Sequence, residues 1–231
     1  MNLKGGVMVV GSLLWDERPV RQKWRRECLL PAENKVPVTV RIRYGRQSVS
    51  RQNTYTMVLC NHPTTLPGQA YGLPFNQPVT DFEDLKRQAF AMAVAEGVAP
   101  EDEPALCRPH GAVGLLINPA VPDEQAEGLR AGWRSLYNAY NLDISDYQIG
   151  DEPPVINESG LLQIDWTPGM DAFDLLIATP MVPLPKRILT PPEISLCMKE
   201  NRFRDYFDLN CHHEISTYQD IDIRKELDQT Y

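Results

Sequence analysis

Gly6-Val7-Met8-Val9-Val10-Gly11-Ser12-Leu13-Leu14-Trp15 decides how this chain is read. Val7 to Val10 form an apolar run of strand length that stops at Gly-Ser. A buried strand ending at a glycine can turn sharply, because glycine accepts backbone conformations closed to other residues. The turn then leaves successive amide N–H groups at the strand end, with the Ser12 hydroxyl beside them. Such a nest suits an anionic group or a developing oxyanion. An ordinary first strand and turn carries the same signature, so the choice rests on the remainder of the chain.

Downstream, Val38-Thr39-Val40-Arg41-Ile42-Arg43-Tyr44 alternates, with Val38, Val40, Ile42 and Tyr44 on one face and Thr39, Arg41 and Arg43 on the other. That is a half-buried strand. Thr54 to Cys60 and Gly68 to Phe75 read as two more. From Asp81 the period changes: Phe82, Leu85, Ala89 and Met92 form one stripe of an amphipathic helix. Thr80 or Asp81 caps its start, and Gly97 stops it. A strand follows at Ala112 to Ile117, then a helix from about Asp123 to Tyr140. Leu161 to Trp166 and Phe173 to Thr179 read as strands, and the C-terminal stretch as helical, broken near Asn210 to His213. Asp16 to Arg26 is polar, with Val20 and Trp24 as its apolar punctuation.

Strands lead and helices intersperse without regular alternation, so an α+β fold is expected rather than a doubly wound parallel sheet. The 231 residues fit one domain, with the polar Ser145 to Pro154 stretch as the candidate internal boundary.

An apolar content of 42% and a charged content of 23% are those of a soluble globular protein. No apolar run approaches a membrane span, and the N-terminus lacks the pattern of a secretory signal. Five scattered cysteines (Cys28, Cys60, Cys107, Cys197, Cys211) suit a reducing cytoplasm better than a disulfide framework. A net charge of -8 argues against nucleic acid as a partner. Yet ten of the 23 basic residues lie between Arg18 and Arg51, which fits a site for a small anionic ligand.

The stripe Phe82, Leu85, Ala89, Met92 continues at the next step of four onto Glu96. A carboxylate on the core-facing side of a last helical turn is pushed toward neutrality by desolvation and by the negative end of the helix dipole. That is the property of a proton shuttle at neutral pH. Neither a metal site nor a Ser/His dyad is expected. Cys107 and His110 lack a matching second pair, His212 and His213 are adjacent, and no histidine has a context that points to Ser12.

Taken in order, these pieces resemble the gamma-glutamylcyclotransferase family. Members open with a strand carrying an aromatic-Gly-Ser motif, similar to Val10-Gly11-Ser12-Leu13. They carry a catalytic glutamate in a Glu-Gly pair, similar to Glu96-Gly97-Val98 after Tyr71-Gly72-Leu73 and the helix. Tyr206-Phe207 and Ile215-Ser216-Thr217-Tyr218-Gln219-Asp220 look like the closing helical signature. Val10 stands where a tyrosine is usual, and Ala93 where an aspartate often precedes the glutamate by three.

The resemblance implies a mixed β-barrel-like core with flanking helices and a reaction without metal or cofactor. The free α-amine of a small γ-glutamyl compound attacks its own side-chain carbonyl, giving 5-oxoproline and a free amine. Glu96 would move the proton. The backbone of Val10, Gly11, Ser12 and Leu13 would hold the substrate and its oxyanion, and Arg41 or Arg43 would pair with the α-carboxylate. The rival reading is a non-catalytic small-ligand-binding or regulatory protein on the same fold. The two separate on whether Glu96 and the Gly11-Ser12 turn border one cavity.

Overall fold

In the computed structural model, which describes residues 1–229, the apolar opening run lies inside a six-stranded sheet. The strands are β1 (Gly5–Val9), β2 (Val36–Ser48), β3 (Thr54–Leu59), β4 (Pro67–Pro74), the short pair β5 (Cys107–Arg108) and β6 (Gly111–Ala112), β7 (Gly114–Ile117) and β8 (Leu175–Ala178). The large sheet has the order β3-β2-β4-β1-β8-β7, and β5 pairs with β6 apart from it. β1 runs antiparallel to β4 and parallel to β8, while all other neighbours in the sheet are antiparallel. All five residues of β1 are buried, as a central strand covered on both faces requires. Gly6 and Gly72 make room for one ring: a Cβ at either position would fall 2.5 Å from Phe173.

The chain is therefore α+β, but its sheet is open. β3 and β7 are the edges, and among the described residues no pairing joins them, which corrects the barrel-like core implied by the resemblance. Other segments lie against both strands. The Leu115 amide donates to Gly160 O at 3.0 Å and the Leu162 amide to Leu115 O at 2.8 Å, so β7 is flanked by an irregular strand. Helix Pro191–Glu200 packs against β3. At β7 those two bonds take up edge groups that could otherwise have closed a barrel. The strand expected at Leu161 to Trp166 is reduced to isolated bridges from Leu161 to Leu115 and from Leu162 to Ile156.

The helices are α1 (Pro19–Cys28), α2 (Phe82–Glu96), α3 (Asp123–Tyr137), α4 (Pro191–Glu200), α5 (Asp205–His212) and α6 (Asp220–Asp228). In α2 the Asp81 carboxylate accepts the Asp84 amide at 2.9 Å, and Gly97 closes the helix at φ 75°. Leu85, Ala89 and Met92 are fully buried, so the stripe faces the core. α1 packs beside α2, and the sequence pattern missed it. Its buried positions are Arg21 and Trp24, an inward face completed by an arginine. One hydrophobic cluster runs from Leu3 to Ile223. The Ser145 to Pro154 stretch contributes to the interior through buried Tyr147 and Glu152.

Candidate functional site

β1 ends in a tight turn. Gly11 O accepts the Leu14 amide at 3.2 Å, and Ser12 O accepts the amides of Trp15 at 3.2 Å and Asp16 at 2.8 Å. The amides of Gly11, Ser12 and Leu13 donate to no described residue, so they remain open for an acceptor. Gly11 is required by close approach: a Cβ there would sit 2.5 Å from the Tyr206 hydroxyl. That hydroxyl accepts the Met57 amide at 3.1 Å, and burial pushes its pKa up.

Arg21 organises what faces the turn. It is 3% exposed, and its guanidinium donates to Ser12 Oγ at 2.7 Å, Asp16 Oδ2 at 3.2 Å, Glu96 Oε2 at 2.8 Å and Ala95 O at 3.0 Å. Asp16 in turn gathers Arg18 at 3.1 Å and Arg51. Burial pushes the Asp16 carboxyl up, but the Arg18 amide and the Arg51 and Arg21 guanidiniums outweigh it and hold it at about 2. Arg51 also lies over the Trp15 ring at 5.1 Å.

Glu96 behaves oppositely. Burial raises its pKa above the usual carboxylate value, with Arg21 as the strongest opposing influence. Its side chain is 23% exposed, and Oε1 has no hydrogen-bond partner among the described residues. One carboxylate oxygen is thus anchored while the other is open.

These groups border one cavity of about 150 Å³, lined by Val10, Gly11, Ser12, Arg18, Arg21, Arg46, Ser48, Ser50, Arg51, Thr56, Met57, Glu96, Thr179, Met181 and Tyr206. Its four guanidiniums face one carboxylate in the wall and Asp16 just behind. The cavity is therefore cationic in a protein of net charge -8.

Of the residues singled out from sequence, Glu96, Val10, Gly11 and Ser12 meet in this cavity. The Leu13 side chain is buried behind it, and the Leu13 carbonyl accepts Arg25 at 2.8 Å. Arg41 and Arg43 are elsewhere, a correction to the sequence reading. Arg41 pairs with Asp165 at 3.2 Å on the outer surface. Arg43 is 1% exposed and donates to Cys60 Sγ at 3.2 Å.

The reason is the length and irregularity of β2. The cavity lies toward its C-terminal end, past a register shift between Tyr44 and Arg46 that sets Arg46 opposite Thr56. The cationic wall comes from Arg18, Arg21, Arg46 and Arg51. Sequence reasoning missed all four; the signal that could have found Arg21 is Pro19 as a helix start, with Arg21, Trp24, Arg25 and Cys28 recurring at one helical face.

No protein-family model matches the chain, and neither does any curated protein or any solved structure. Among the described residues no group of three or more His, Cys, Asp or Glu is placed to hold a metal ion, and no helix is long and apolar enough to cross a membrane.

Proposed function

We propose that the chain is a cyclotransferase-type enzyme that converts a small γ-glutamyl compound to 5-oxoproline and a free amine. The observation that supports this reading is the meeting of Glu96 with the unpaired amides of Gly11 and Ser12 in one cationic cavity. Ionised Glu96 takes a proton from the substrate's α-ammonium through its unoccupied Oε1. The amine then attacks the γ-carbonyl carbon, and the oxyanion that forms is held by the turn amides. Collapse breaks the bond to the departing nitrogen, which takes the proton back from Glu96.

Burial raises the Glu96 pKa and Arg21 is the strongest influence against the rise, the direction that favours a carboxylate able to return the proton it takes. Ring closure is intramolecular, so orientation supplies much of the acceleration and few side chains are needed. Tyr206 places a hydroxyl beside Gly11, a polar group that Val10 does not supply.

The test is incubation of the purified protein with a panel of γ-glutamyl amines and γ-glutamyl amino acids, with 5-oxoproline as readout. Glu96→Gln keeps the size and the bond to Arg21 but cannot carry the proton, so turnover falls at least ~100-fold. Full activity in Glu96→Gln removes Glu96 from the reaction. A wild type that releases no 5-oxoproline from any compound leaves the non-catalytic binding protein as the reading. The feature favouring that second reading is the Arg21–Glu96 pair, which occupies half of the carboxylate.

A further inference from the structure

Away from the Glu96 cavity, α1 and α2 face one another with apolar rows. On α1, Val20, Trp24 and Cys28 recur at steps of four. On α2, Phe90, Ala91 and Val94 stand beside the buried stripe of Leu85, Ala89 and Met92. These six side chains line a cleft of about 250 Å³, and none of them borders the Glu96 cavity. Trp24 is 4% exposed, whereas the other five are half-buried or exposed.

Trp24 carries the polar group that the fold leaves unmatched. Its indole Nε1 is buried and has no hydrogen-bond partner among the described residues. Leaving such a donor unsatisfied costs about 1–3 kcal/mol, so Nε1 is a vacancy for one acceptor. The charges around the cleft are, by contrast, already matched. Lys23 pairs with Glu101 at 3.3 Å, and Glu27 with Arg26 at 3.5 Å. Burial raises the pKa of the Cys28 thiol, which therefore lines the wall as a neutral group.

We infer that the seam between α1 and α2 is a binding site for an uncharged aromatic molecule whose acceptor takes the hydrogen bond of Trp24 Nε1. The size follows from the cleft: a dry apolar cavity of roughly 150 Å³ holds benzene, so this one holds two fused rings. The Phe90 ring supplies an aromatic contact for them. A charged occupant would lose its hydration without finding a free countercharge. Nε1 is covered, so the acceptor enters as the exposed side chains of Val20 and Lys23 turn aside, a rotamer change that exposed residues make within nanoseconds. The inference does not depend on the reaction proposed above, because the two sites share no lining residue.

The experiment compares indanone with indane, fused-ring molecules of similar shape that differ in one carbonyl. Nitrogen–proton correlation spectra of the full chain show four tryptophan indole resonances, and that of Trp24 is assigned through its connectivity to its own backbone. Titration with indanone moves this resonance downfield to a plateau, as a hydrogen bond to a carbonyl does. Indane produces no downfield shift. In calorimetry, Trp24→Phe weakens indanone about threefold to tenfold relative to indane, the worth of a neutral hydrogen bond. Ala91→Leu keeps Trp24 and fills the cleft, so it weakens both compounds at least about tenfold. That variant keeps the test decisive where Trp24→Phe, which removes a core side chain, fails to fold.

The inference is overturned if indanone gives no saturable shift at Trp24, if both compounds give the same shift, or if binding survives Ala91→Leu. A Trp24 resonance that moves with protein concentration alone would put a second copy of the chain in the cleft, and that outcome overturns it as well.

Discussion

Replacing Arg21 by Met removes the guanidinium at the centre of the site while keeping an unbranched apolar stem in its place. Arg21 is 3% exposed and joins Ser12, Asp16, Glu96 and the Ala95 carbonyl. Stranding one member of a buried ion pair costs about 3–5 kcal/mol. Two features moderate that figure here: Asp16 keeps Arg18 and Arg51, and the Glu96 side chain retains 23% exposure. A loss of about 2–3 kcal/mol at neutral pH results. For a chain of this length that is a fall of roughly 4–12 °C in the thermal midpoint.

The pH dependence identifies the stranded group. Burial already raises the Glu96 pKa, and Arg21 is the strongest influence against the rise. Without Arg21 the folded-state value moves further above the unfolded one. A carboxyl raised in this way contributes stability that is fully present below its unfolded pKa and is lost as pH rises through its folded pKa. The deficit of Arg21→Met is therefore smaller near pH 5 than near pH 8. Asp16 does not confound the comparison, because a pKa of about 2 keeps it ionised throughout that window in wild type. Chemical denaturation of wild type, Arg21→Met, Glu96→Gln and the double variant at both pH values measures the coupling. In the double variant the stranded carboxylate is gone and the pH slope disappears. A deficit under about 0.5 kcal/mol, or one of equal size at both pH values, refutes the assignment of Arg21 as the organising residue.

Glu96→Gln alone, whose loss of turnover is the test of the proposed reaction, leaves the thermal midpoint unchanged or up to about 3 °C higher, since a raised carboxyl pKa marks a charge the fold disfavours. A clear drop in the midpoint would count against that sign. Gly11→Ala forces the Tyr206 hydroxyl aside and costs about 1–3 kcal/mol. Tyr206→Phe frees that space, so in calorimetry the double variant is more stable than the two single losses predict by addition, and strict additivity would contradict the close approach. Asp16→Asn removes a carboxyl held at about 2 against an ordinary 3.8, worth about 2 kcal/mol near neutral pH. A depressed carboxyl contributes above its unfolded pKa and is lost as pH falls through its folded one. The gap between wild type and Asp16→Asn in acid unfolding therefore narrows from pH 4 toward pH 2, and a constant gap would exclude the ion-pair origin.

Local periodicity carried the elements whose burial is one-sided and apolar. β1 with its Gly11 stop and the α2 stripe through Met92 to Glu96 could be placed from the chain alone, because strand and helix periods are set by backbone geometry. Capping told as much: Asp81 and Gly97 mark the ends of α2 by the hydrogen bonds and the positive φ those positions need. α1 escaped the same reading because its inward face includes Arg21, and a polar residue turned inward looks like solvated surface until its partners are known. Those partners, Glu96 and the Ala95 carbonyl, lie some 75 positions away in sequence.

Which arginines reach the cavity was likewise decided by tertiary structure. The alternation of β2 assigns faces correctly only up to the shift between Tyr44 and Arg46, and a one-residue insertion in a strand reverses every side chain beyond it. The same limit governs the sheet. That β3 and β7 remain apart, flanked by α4 and by the Gly160 to Leu162 segment, depends on pairings between distant segments that no local pattern encodes. Sequence alone thus determined where the chain can turn and which glutamate ends a buried stripe. The fold decided which charges surround that glutamate, because a charge inside a protein takes its pKa and its role from the groups packed around it.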